Sequence, residues 1–156
     1  MTVSANPRPG NALPAIFWAG LTCGVLDISA AFITWAIRGV KPFMILQAIA
    51  SGLLGAKSFD GGWPAAALGA ACHFFIAFSA AAVFYAASRK IPLMTRSAIL
   101  SGALYGVVVY VVMYWIVKPL SQVQPRPFSL NETVVAILTH VVCVGLPISL
   151  IVRRFR

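Results

Sequence analysis

Four stretches of this chain, about Pro14–Ile37, Pro64–Ser88, Arg96–Val117 and Leu130–Val152, run for more than twenty residues with almost no charge inside them. A helix rises about 1.5 Å per residue, so each is long enough to cross roughly 30 Å of hydrocarbon. That constraint settles the class. Only 10% of the 156 residues are charged and 60% are hydrophobic, whereas a soluble domain carries about 25% charged residues to cover its surface. The mean hydropathy is +0.90. The expectation is an all-α membrane protein with four transmembrane helices and one transmembrane domain over residues 14–156.

Between the first and second spans lies a shorter apolar segment, about 43–57. Its uninterrupted core, Met44–Gly55, is about twelve residues, too short to cross, so a re-entrant or interfacial helix is expected there. Gln47 and Ser51 stand four residues apart and give it one polar edge. The Asp60-Gly61-Gly62-Trp63-Pro64 turn then opens the second span, with Pro64 suited to a first helical turn. Residues 1–13 are polar and contain two prolines, and are read as a flexible tail. The apolar run behind them is too long for the h-region of a secretory signal.

The formal charge is +9, yet the Lys and Arg residues cluster at span ends, where they meet lipid headgroups and set topology. Nucleic acid is not the partner this placement suggests. The bilayer is. Arg8, Arg89, Lys90, Arg96, Arg153, Arg154 and Arg156 make seven charges on one side, against five at Arg38, Lys41, Lys57, Lys118 and Arg126. The positive-inside rule then places both termini in the cytoplasm. Trp35, Trp63 and Trp115 fall at the outer boundary, and Trp18, Tyr85 and Phe155 at the inner one. Cys23, Cys72 and Cys143 all lie inside apolar runs, which argues against a disulfide framework.

Three ionisable groups stand well inside the spans: Asp27, His73 and His140. Counted inward from Arg38, Pro64 and Asn131, each lies roughly 14–16 Å below the outer edge, near the midplane. Small residues share their faces. Gly20 and Gly24 form a GxxxG ridge below Asp27, Gly69 precedes His73 by four residues, and Gly102 and Gly106 form a second GxxxG below Tyr110. Such ridges mark close helix contacts, within one chain or in a homo-oligomer.

Three readings of this polar layer stand open. In one, Asp27 hydrogen-bonds a histidine and the layer is interhelix packing in a structural or assembly subunit. In another, the layer handles protons, ions or a small solute, because histidine titrates near neutral pH and buried titratable chains mark such routes. Glu132, two turns above His140, would link the layer to the outer side, with Tyr105 and Tyr110 adding hydroxyls. A third reading is a metal or haem site built from Asp27, His73 and His140, with Cys143 as an extra donor. No HxxxH, HExxH or CxxC spacing supports it, and no cofactor is expected. The motifs of soluble catalysis, GxSxG, the P-loop and GxGxxG in a strand–helix setting, are absent, so nothing in the sequence favours an enzyme.

Residues 64–156 resemble the YagU-like family of small bacterial inner-membrane proteins. The likeness rests on His73 followed by an apolar run to Tyr85, on Gly102-Ala103-Leu104 in the third span, and on Glu132 ahead of His140 with Arg153-Arg154 closing the fourth. It implies a bacterial inner membrane and supplies no mechanism.

Overall fold

A computed structural model describes residues 12–124 and 127–155. The described residues form helices and turns with no strand. Five helical segments are long and apolar enough to cross a membrane, Ala12–Ala36, Pro42–Phe59, Gly62–Lys90, Ala98–Leu120 and Leu130–Arg154, where the sequence reading has four. We number the helices α1 (Ala12–Ala36), α2 (Pro42–Leu54), α3 (Gly62–Lys90), α4 (Ala98–Leu120) and α5 (Leu130–Arg154). The expected tail lies mostly outside the described residues, and its last two residues, Ala12 and Leu13, already belong to α1. A proline in a first helical turn forfeits no hydrogen bond, so α1 begins ahead of Pro14.

The four long helices alternate in direction along the chain, with α1 packed on both α3 and α5 and α4 packed on α5. Gly20 sits under Phe78 and Gly24 under Phe74, fixing α1 against α3. On α5, Gly145 meets the Gly102 carbonyl and Gly106 of α4. Glycine is required at these crossings because a Cβ at Gly20, Gly102 or Gly145 would collide with the facing helix. Gly69 does the same work against α2, meeting the Leu46 carbonyl. The ridges suggesting a homo-oligomer are therefore consumed inside the chain, and the oligomer loses that support.

One end of the bundle is tightly closed. Ala15, Ala19, Cys23, Ala77, Ala81, Phe84, Val144, Ile148 and Val152 form one buried cluster, with Ala12 and Phe155 packed on its edge. The first and last described residues therefore share an end. Two cross-helix bonds tie this end, Tyr105 Oη donating to the Ala80 carbonyl (2.7 Å) and Ser149 Oγ to the Ala98 carbonyl (2.8 Å). Outward, the surface is apolar all round, with Phe75, Trp63 and Trp115 each more than two-thirds exposed. That is how a helix behaves when its surroundings are as apolar as its core.

The segment after α1 doubles back on itself. Gly55, at φ +61°, ends α2 and starts a 3-10 turn over Gly55–Phe59. The Gln47 side chain donates to the Phe59 carbonyl at 3.2 Å, a contact that a straight helix, with those residues about 18 Å apart, would forbid. The rings of Phe43 and Trp63 lie 4.9 Å apart, so both ends of the segment sit together. Its tip is held by Gln122, whose backbone N–H donates to the Gly52 carbonyl (2.9 Å) and whose amide donates to the Leu53 carbonyl (2.6 Å).

Helices α4 and α5 each contain a widened π turn, at Met113–Val117 and His140–Gly145. Each precedes a proline, Pro119 and Pro147. A proline cannot donate to the carbonyl four residues back, and its ring crowds it, so the preceding turn opens to make room.

Candidate functional site

Away from the closed end the helices splay around a cavity of about 840 Å³. Its depth is marked by Cys23, Gly24, Ala77 and Val144, which belong to or adjoin the buried cluster. Its rim carries Arg38, Lys118, Gln122 and Glu132. Helical spacing explains which side chains face inward. On α1, Asp27, Ala31 and Thr34 follow at intervals of three and four, and Arg38 continues the series in the turn just beyond the helix. Tyr110, Tyr114 and Lys118 do so on α4, and Glu132, Ala136 and His140 on α5.

Asp27, His73 and His140 all line this cavity, so the three groups share one space. They do not pair as expected. His73 Nε2 donates to the Gly24 carbonyl at 2.8 Å, crossing from α3 to α1 one turn from Asp27. His140 Nδ1 donates to the Ala136 carbonyl of its own helix, also at 2.8 Å. Among the described residues the Asp27 carboxylate makes no hydrogen bond and no ion pair. A side chain donates more readily to a nearby helix carbonyl than to a carboxylate across a cavity, and each histidine has such a carbonyl within reach.

The accessory residues divide. Tyr110 is buried and packs edge-on against His140, ring centroids 5.7 Å apart, and stacks on Tyr114 at 5.7 Å. The Lys118 ammonium lies 4.7 Å from the Tyr114 ring centre. An aromatic ladder therefore climbs from His140 to the rim. Tyr105 lies outside the lining, bonded to Ala80 and packed on Phe84. Cys143 is also outside it. No three His, Cys, Asp or Glu side chains among the described residues gather at metal-binding distance. The Asp27–His73–His140 metal set is thus not assembled.

Glu132 occupies a capped helix start. Ser129 accepts from the Glu132 backbone N–H, the first half of a capping box. The Glu132 carboxylate then takes a 2.5 Å ion pair from Arg38 across the cavity mouth, linking the end of α1 to the start of α5. Arg38 also lies over the Trp35 ring, 4.9 Å from its centre.

Arg38, Tyr114 and Gly145 were not foreseen. Arg38 follows Asp27 by eleven residues, three helical turns, which places it on the same face. Tyr114 follows Tyr110 by four. Pro147 after Gly145 announced a disturbed turn. Comparison with protein families, curated proteins and solved structures finds no match to this chain.

Proposed function

We propose that this chain is a small carrier of the bacterial inner membrane, taking a solute or protons into the cavity from its Arg38–Glu132 end. The observation behind this reading is Asp27. A carboxylate at membrane depth is costly, and it persists where function uses it. The packing alternative needs Asp27 to bond a histidine, and His73 instead spends its Nε2–H on Gly24. His73 is interhelix glue, and Asp27 is left to the cavity. The closed cluster beneath favours a carrier, whose site opens to one side at a time, over a continuous channel.

Within the same proposal, α1, α3, α4 and α5 cross the membrane and the 42–61 segment is re-entrant. A segment whose two ends touch, as Phe43 and Trp63 do, enters and leaves by one face. Four crossings put both termini on one side, and the Lys and Arg bias makes that side the cytoplasm. The likeness of residues 64–156 to the YagU-like family belongs to this reading.

The test is proton flux in liposomes carrying an entrapped pH dye. The wild-type chain should dissipate an imposed gradient faster than empty liposomes, and Asp27→Asn, which keeps the shape, should slow it by about tenfold or more. Equal rates for the two proteins would end the proton arm of the proposal.

A further inference from the structure

We propose that the solute taken by this cavity is an amphipathic organic monocation, bound with its charge on Asp27. This rests on the carrier reading above. Four formal charges line the cavity: Asp27, Arg38, Lys118 and Glu132. Arg38 and Glu132 neutralise each other at the mouth. Lys118 lies at the rim over Tyr114. Both histidines give one N–H to a backbone carbonyl. The charged-type side chain left facing the interior with no ion-pair partner among the described residues is the acidic Asp27, so the complementary ligand is a cation.

The rest of the lining selects the kind of cation. An inorganic ion needs several oxygens to replace its hydration shell, and no cluster of three acidic or metal-ligating groups is present among the described residues. The walls are Ile28, Ile45, Ile49, Ile76, Val109 and Met113, which suit an apolar body. Tyr110 and Tyr114 stack along one side, and their π faces attract cations. A volume of about 840 Å³ lies within the range of roughly 300–1,000 Å³ typical of sites for drug-sized molecules.

The experiment uses two probes of matched shape and opposite charge, tetraphenylphosphonium and tetraphenylborate. Saturable binding to the full chain in a neutral detergent is measured by equilibrium dialysis. The cation is expected to bind at least about tenfold more tightly than the anion. Asp27→Asn should weaken the cation by a similar factor while leaving the anion unchanged, and Asp27→Glu should restore it. Equal binding of both probes, or cation binding indifferent to Asp27→Asn, would overturn the cation assignment and leave the solute cavity standing. Absence of saturable binding by either probe would overturn the organic-cation assignment, while the proton-flux assay above decides the carrier reading separately. Should Asp27→Asn not fold, the ratio between the probes on the wild-type chain decides alone.

Discussion

Asp27 and His73 stand on facing helices at one level and have opposite roles. The imidazole bonds α3 to the Gly24 carbonyl of α1, while the carboxylate bonds nothing among the described residues. Interhelix hydrogen bonds inside membranes contribute about 0.6 kcal/mol on average, and up to about 1.7. His73→Leu should therefore lower stability by about 1 kcal/mol, in a denaturing-detergent titration. Asp27→Asn should cost little or nothing, since it keeps the shape and breaks no hydrogen bond or ion pair among the described residues. If Asp27→Asn proved the more damaging change, Asp27 would be part of the packing after all. Asp27, His73 and His140 line one cavity, and the sequence grouped these three by counting inward from the span ends. It did not reveal their partners, because every helix offers a carbonyl each turn and nothing in the residue pattern says which side chain will take it.

At the level of elements, the glycines discriminate between crossing points and open surface. A Cβ at Gly145 would strike the Gly102 carbonyl and come within 2.5 Å of the Gly106 nitrogen. Gly145→Ala should separate α4 from α5 at a cost of about 1–3 kcal/mol, as overpacking usually does. At Gly52 the added Cβ would meet Ser121 at an ordinary 3.6 Å, and alanine favours helix by about 1 kcal/mol. Gly52→Ala should thus be neutral or stabilising in the same thermal or detergent unfolding assay. Equal losses at both positions would contradict the crossing described here. The long helices were legible from their apolar runs alone. The turns that shape the cavity were less so: the π turns before Pro119 and Pro147 depend on whether a helix kinks or widens around a proline, and neighbouring helices decide that. Total length and composition would let 42–59 cross, whereas its short uninterrupted apolar core points the sequence reading to a re-entrant or interfacial helix. The Gln47–Phe59 bond and Phe43–Trp63 contact describe how it doubles back.

The described residues form an all-helical bundle with five segments long and apolar enough to cross a membrane, closed at the end where α1 begins and α5 ends and hollow at the other. Composition foretold the apolar exterior, since 60% hydrophobic residues cannot all be interior in a chain of this size. The blind cavity was beyond reach of periodicity, which reports faces and not the spaces between them. Its existence rests on small residues crowding one end and on Arg38, Gln122 and Glu132 spanning the other. The most direct test is water access to Ala31, which lines the cavity one turn above Asp27. Ala31→Cys would be made with the three native cysteines replaced, and exposed in sealed vesicles to a membrane-impermeant maleimide. Phe75→Cys, exposed on the apolar outer surface, is the control. We expect Ala31→Cys to react only from the face bearing Arg38 and Glu132, and Phe75→Cys from neither. Reaction from the Arg153–Arg154 face, or none from either, would contradict a cavity open at one end.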